Sequence, residues 1–297
     1  MYEVPNYDDR PFFGVIWANT WRDAKHVGDR MRFRYAFRGQ ASVDWGLATH
    51  IQRAALRGDV DLADLDRLEA WILHEFRRRA HHFIDDPPGQ EDLLDWLALI
   101  QHHGGPTRLL DFTYAFYAAA FFAVDTAEAD AAIWAIDLQS LAEAATPRAG
   151  FPFVPFDRRD RITLHTEFCR ACLDKPMEST FVLDVEPFRM NPRMADQQGL
   201  FLFPTVVTAP FEDTLFATFG VDASAVKGEN PSYTADDRTA WPHVAKIILP
   251  HHLHGTAIDD LHTMNVSAVS LFGGLDGLAR SMNRFMRPFV EDEWRME

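Results

Sequence analysis

Cysteine is nearly absent from this chain: two residues, Cys169 and Cys172, in 297. A small secreted fold stapled by disulfides is thereby excluded. Long apolar runs are missing as well. No stretch approaches the roughly 18 uninterrupted apolar residues that a membrane-spanning helix needs, so no membrane partner is expected. The opening MYEVPNYDDR has neither a basic n-region nor an apolar h-region, which predicts no signal peptide and a cytoplasmic protein. Internal repeats and low-complexity tracts are absent too. Positive charge is scarce: 29 Lys and Arg against 44 Asp and Glu leave a net charge of −15. Such a field repels phosphate and argues against non-specific binding to DNA or to an anionic membrane. Residues 22–82 are the exception, with 12 basic residues against 9 acidic ones. A nucleic-acid partner would meet the chain there.

What the chain does have is apolar and aromatic mass. At 47% hydrophobic and 13% aromatic residues, with 24 Phe and 8 Trp, it is composed like a globular protein with a full core. Its length suits one large domain. Residues 31–40, MRFRYAFRGQ, alternate: Met31, Phe33, Tyr35 and Phe37 fall on one strand face and Arg32, Arg34, Ala36 and Arg38 on the other. Gly39 then permits a turn or the close approach of another backbone. Helical spacing marks about 60–84 and 91–103, separated by the break DDPPGQED. Short strands are expected at 107–112, 131–138, 180–186 and 244–250, with loops at 147–160 and 222–243. The sum is α+β around one sheet.

The densest chemistry lies at 99–124, LIQHHGGPTRLLDFTYAFYAAAFFAV. A helix over 114–124 that is apolar on nearly every side must be covered by protein all round, and Thr113 is its natural N-cap. Arg108 and Asp111, so close to this core, need partners if they are to stay ionised. Two roles fit: a buried network bracing the strand–helix junction, or the floor of a cleft. In the second, the Gly104-Gly105-Pro106 turn and a helix N-terminus would favour an anion.

FRGQ (37–40), QHHGGPTRLLDFT (101–113), ADQQGLF (195–201) and LFGGLDG (271–277) occur in that order. Together they resemble the FRG family, named for the Phe-Arg-Gly of its first motif. The likeness runs from about 31 to 280 and implies one FRG-type domain over 1–297, with a helical insertion at about 60–103. LFGGLDG lacks the Pro-Asp that the family's pattern places before Leu-Asp-Gly.

The order of motifs is also similar to ADP-ribosyltransferases of the Arg-Ser-Glu type. This second resemblance implies a central, mostly antiparallel, split sheet flanked by helices, and NAD as substrate; no metal is expected, because the 13 His and 2 Cys offer no complete ligand set. It implies catalytic roles for Arg38, Thr113 and Gln198, with Gln standing where that pattern has Glu. An arginine such as Arg38 grips a pyrophosphate bidentately. Gly39, Gln40, Gln101, His102 and His103 would line the NAD site, joined by Thr107, Arg108, Asp111 and Gln197. The function implied is transfer of ADP-ribose to a macromolecule, nucleic acid or protein, by a toxin-like or phage-defence effector held by a neutralising protein partner. The alternative is a non-catalytic module that binds a nucleotide or a partner.

The remaining histidines and the cysteines carry less. No HExxH accompanies His81-His82, His102-His103 or HHLH (251–254), and neighbours on a helix point about 100° apart. A metal-dependent hydrolase using His102 or His103 ranks third for that reason. His102 and His103 read as polar lining of the cleft, the other two groups as a solvated helix end and loop. CRAC (169–172) reads as two reduced helical cysteines.

Overall fold

The structure, a computed structural model, describes residues 10–149, 158–175, 179–222, 232–233 and 241–286. Thr20 starts the first helix: its hydroxyl accepts from the Asp23 N–H, and the Asp23 carboxylate accepts from the Thr20 N–H. Helix α1 (Trp21–Met31) buries Trp21, Ala24, Val27, Gly28 and Met31. The strand expected from residue 31 therefore begins later. Phe33 has φ 69 and is 94% exposed, and the strand is Tyr35–Gln40. The alternation over 31–40 ran the last core position of a helix into the first of a strand.

Eight strands form one mixed sheet: β1 (Phe13–Trp17), β2 (Tyr35–Gln40), β3 (Leu110–Thr113), β4 (Ala131–Asp137), β5 (Val182–Val185), β6 (Gly199–Pro204), the two-residue β7 (Ser232–Tyr233) and β8 (Val244–Leu249). Their order is β5-β6-β3-β2-β4-β8-β1-β7. Neighbours are antiparallel except that β1 runs parallel to β8 and β7. The α+β class and the mostly antiparallel sheet agree with expectation. One junction is thin. β2 pairs with β4 along its whole length, yet with β3 only at Phe37↔Thr113.

Three helices lie between β2 and β3: α2 (His50–Gly58), α3 (Leu65–Ala80) and α4 (Leu93–His102). Trp71 and Phe83, two of the apolar residues that give 60–84 its helical spacing, are 62% and 84% exposed. α5 (Phe116–Val124) is buried nearly all round. It starts two residues late, at Ala115 rather than Thr113, because the Thr113 hydroxyl accepts from the Ala115 N–H just ahead of the first turn. α1, α5 and the helix His254–Thr263 share a core with Phe37, Ile133, Ala135 and Ile247. α3, α4 and α7 (Arg158–Asp174) pack on Leu183, Val185, Phe201 and Phe203. α9 (Phe211–Thr218) covers Trp134, Leu110 and Leu202.

Of the loop expected at 147–160, residues 147–149 close α6 (Leu138–Ala149) and 158–160 open α7; the stretch between lies outside the described residues, as does most of 222–243. Cys169 and Cys172 are buried, unbridged and helical. In HHLH, His251 and His252 are exposed, but His254 is buried and its Nε2 lies 3.0 Å from the Leu249 carbonyl.

Gly39 is where β2 meets α5. A Cβ there would lie 1.9 Å from the Ala119 carbonyl oxygen and 2.5 Å from the Ala123 nitrogen. Both are helix backbone and cannot yield. Gly39→Ala should lower stability by about 3 kcal/mol or more, the upper end of overpacking costs, read as a fall in the urea midpoint.

Another cluster holds a histidine whose pKa the fold shifts. Asp137 accepts from Arg10 Nη1 and Arg34 Nε at 2.7 Å each, and from Ser140 Oγ at 2.9 Å. Arg10 Nη2 lies 3.0 Å from His243 Nδ1. A guanidinium only donates, so Nδ1 is the acceptor and carries no proton. Burial first, then the Arg10 charge, pull this imidazole from 6.5 to about 4. Its folded-state pKa is depressed, so its stability contribution is complete above pH 6.5 and is lost as pH falls towards 4. The urea midpoint should drop in that window, and the drop should shrink in His243→Gln.

Candidate functional site

The thin junction between β2 and β3 opens into a cleft of about 940 Å³. β2 supplies Phe37, Arg38, Gly39 and Gln40, and β3 supplies Asp111, Phe112 and Thr113. α4 adds Ala98, Gln101 and His102, and α5 adds Phe122.

Arg38 spans the opening. Its Nη1 donates to the Asp111 carbonyl at 2.7 Å and lies 3.8 Å from the Asp111 carboxylate. The side chain is 17% exposed, and Nε is buried without a hydrogen-bond partner. A buried donor left unpaired costs about 1–3 kcal/mol, so the fold holds Arg38 here at a cost. Burial lowers the guanidinium pKa to about 10, and Asp111 opposes that fall.

Gln101 organises the next turn. Its Nε2 donates to Asp111 Oδ2 at 2.9 Å and to the Leu109 carbonyl at 3.2 Å, while its Oε1 accepts from the Thr107 hydroxyl. Asp111 is thus aimed into the cleft with its side chain 57% exposed.

The other expected residues divide. Gln40 lines the cleft but spends both ends of its amide inward: Nε2 donates to the Gly46 carbonyl and Oε1 accepts from Trp134 Nε1. Thr113 donates to the Gln197 carbonyl at 2.6 Å, and Gln197 Nε2 donates to the Leu271 carbonyl at 2.8 Å. A row of hydrogen bonds therefore links three sequence-distant motifs. His103, Thr107, Arg108 and Gln198 are not among the lining residues. Gln198, at φ 49, is exposed on the turn into β6. Thr107 is fully buried. Arg108 points the other way. Its Nε pairs with the buried Glu69, its Nη2 with Asp66 at 3.1 Å, and its Nη1 donates to the Thr205 carbonyl. The bracing network read from the sequence is real for Arg108, and it faces α3.

Several lining residues had not been singled out. His50, Arg53 and Arg57 share one face of α2, at helical spacing within the basic stretch 22–82 that was their one signal. Thr49 caps that helix with Gln52, and Arg53 donates to the Ala48 carbonyl. Arg193 enters from α8 (Pro192–Asp196). Phe272 lies between the guanidiniums of Arg193, at 4.4 Å, and Arg280, at 4.3 Å. Arg280 is itself paired with Asp125 at 2.7 Å. Nothing in the spacing around 193 signals that stack.

Four arginines (38, 53, 57 and 193) therefore face two aspartates (44 and 111). Burial is the first cause pushing His50 and His102 below the ordinary histidine range. Both imidazoles are neutral near pH 7, and the cleft carries a cationic surplus. Among the described residues no three His, Cys, Asp or Glu side chains are placed to hold a metal ion, and no helix is long and apolar enough to cross a membrane.

The FRG domain model matches residues 33–132. The chain carries an FRG domain. No curated protein and no solved structure matches it. The matched residues of the FRG domain run from the turn before β2 to the first residues of β4 and contain the β2–β3 junction. The three residues that name it have three separate duties. Phe37 is fully buried and meets Phe116 edge-on at 5.5 Å. Arg38 spans the cleft, and Gly39 lets α5 approach β2.

The reassignment of Arg108 is open to measurement. Arg108→Ala leaves the Glu69 carboxylate buried without its cationic partner, held only by the backbone N–H of residue 108, and should cost about 3–5 kcal/mol of unfolding free energy in urea.

Proposed function

We propose that the FRG cleft binds the pyrophosphate of NAD and that the chain transfers ADP-ribose from it to a macromolecular nucleophile. The observation that carries this reading is a cationic cleft inside an acidic protein: four arginines against two aspartates, in a chain of net charge −15. A pyrophosphate diester carries two negative charges, and arginine forks match its oxygens. The volume lies within the range of small-molecule sites, about 300–1,000 Å³. Arg38, Arg53 and Arg193 would hold the phosphates. Asp111, kept in place by Gln101 and Arg38, is the carboxylate best placed to take the acceptor's proton as the bond from ribose C1′ to nicotinamide breaks. That assigns to Asp111 what the motif order had assigned to Gln198. An effector role, in toxicity or defence, belongs to the same reading.

A second reading, a nucleotide-binding module without catalysis, is favoured by one observation. Neither the Gln198 side chain nor any glutamate lines the cleft among the described residues.

Incubation with NAD, with free nicotinamide measured and candidate acceptors weighed by mass spectrometry, separates the two. Nicotinamide release by the wild type, abolished in Asp111→Asn while ADP-ribose still binds, supports transfer. Binding of ADP-ribose without release supports the module. In either case Arg38→Lys, which keeps the charge and loses the fork, should weaken ADP-ribose by about tenfold. Absence of any ADP-ribose binding overturns both.

A further inference from the structure

Trp45 is 57% exposed and lines the cleft, and among the described lining residues it is the one large apolar side chain that stands exposed. An exposed indole is unremarkable on a loose loop. This loop is not loose. The Val43 N–H donates to the Asp130 carbonyl at 2.9 Å. Lys246 Nζ donates to the carbonyls of Val43 and Trp45. The Gly46 carbonyl accepts from Gln40 at 3.0 Å, and the Leu47 N–H donates to Glu212 Oε1 at 2.6 Å. Lys246 is fixed in turn, 4.8 Å over the ring of Trp134, whose Nε1 holds Gln40.

The backbone on both sides of Trp45 is therefore tied to β2, to β8, to α9 and to Asp130 just ahead of β4, while the indole itself stands 57% exposed. Its place at a cleft with a cationic surplus indicates what it serves. A ligand with phosphates and a flat heteroaromatic base would meet arginines with one part and an indole face with the other. Rigid presentation lowers the ordering cost of such a contact, and every base has a π-face on which an indole stacks.

We infer that Trp45 is the base-stacking residue of the FRG cleft, and that the cleft's ligand is a nucleotide recognised through its heteroaromatic base as well as its phosphates. The inference rests on the phosphate-binding reading above and adds the base to it. Adenine and nicotinamide share the relevant chemistry.

Titration calorimetry with ADP, nicotinamide mononucleotide and inorganic pyrophosphate, on wild type, Trp45→Ala and Trp45→Phe, tests it. In Trp45→Ala the affinity for at least one nucleotide should fall about tenfold or more while that for pyrophosphate is unchanged, and Trp45→Phe should recover most of the loss. The nucleotide that loses affinity identifies the base. If Trp45→Ala leaves both nucleotides as they were, or weakens pyrophosphate equally, the stacking role falls. If wild type binds pyrophosphate as tightly as either nucleotide, the base goes unrecognised; Trp45 is again overturned and the phosphate reading survives. If wild type binds none of the three, both fall.

Discussion

β2 and β3 touch at one register point, Phe37 opposite Thr113, and the site depends on how little they pair. Past that point each strand leaves backbone groups facing the other across a gap. The Asp111 carbonyl is one of them, left without a partner strand on that side. Arg38 supplies the donor from the opposite strand. Its guanidinium bridges the two strands and is held beside a carboxylate. Gly39, one residue on, lets α5 press against β2 just where the pairing with β3 stops. Junction, arginine and helix thus form a single arrangement.

The electrostatics follow the same geometry. A chain this acidic repels anions at a distance, but screening at physiological salt confines exposed charges to about 8 Å. Inside the cleft the near charges decide, and there arginine outnumbers aspartate. Burial drives the two lining histidines towards neutrality, so the arginines carry the local surplus.

Much of this was legible beforehand because the FRGQ, HGGPTRLLDFT and QQGLF motifs cluster residues with unusual backbone or charge requirements. Gly39 allowed either a turn or a close approach, the apolar α5 had to be enclosed, and Arg38 and Asp111 were expected at one site. Direction was harder to read. Arg108 and Asp111 are three residues apart and so fall on opposite faces of a strand, but nothing in that alternation shows that Glu69 and Asp66 of α3 wait on the Arg108 side. Gln198, left-handed and exposed at the strand entrance, stands outside the lining of the cleft, and the motif order gives no sign of that. The arginines of α2 and α8 come from elements without a distinctive motif, and only the fold brings them to the cleft.

The residues that define the FRG domain, 33–132, hold β2 and β3 but only the first two residues of β4. Those two strands meet at a single pair, and their real partners, β4 and β6, lie almost wholly downstream. The hydrogen-bonded row from Thr113 runs further still, to Leu271. The recognisable segment is therefore not a unit that could fold by itself. It is one seam of a larger sheet, and this chain supplies from beyond it the strands that close both edges. What is inherited as a motif is a way of leaving a sheet ajar.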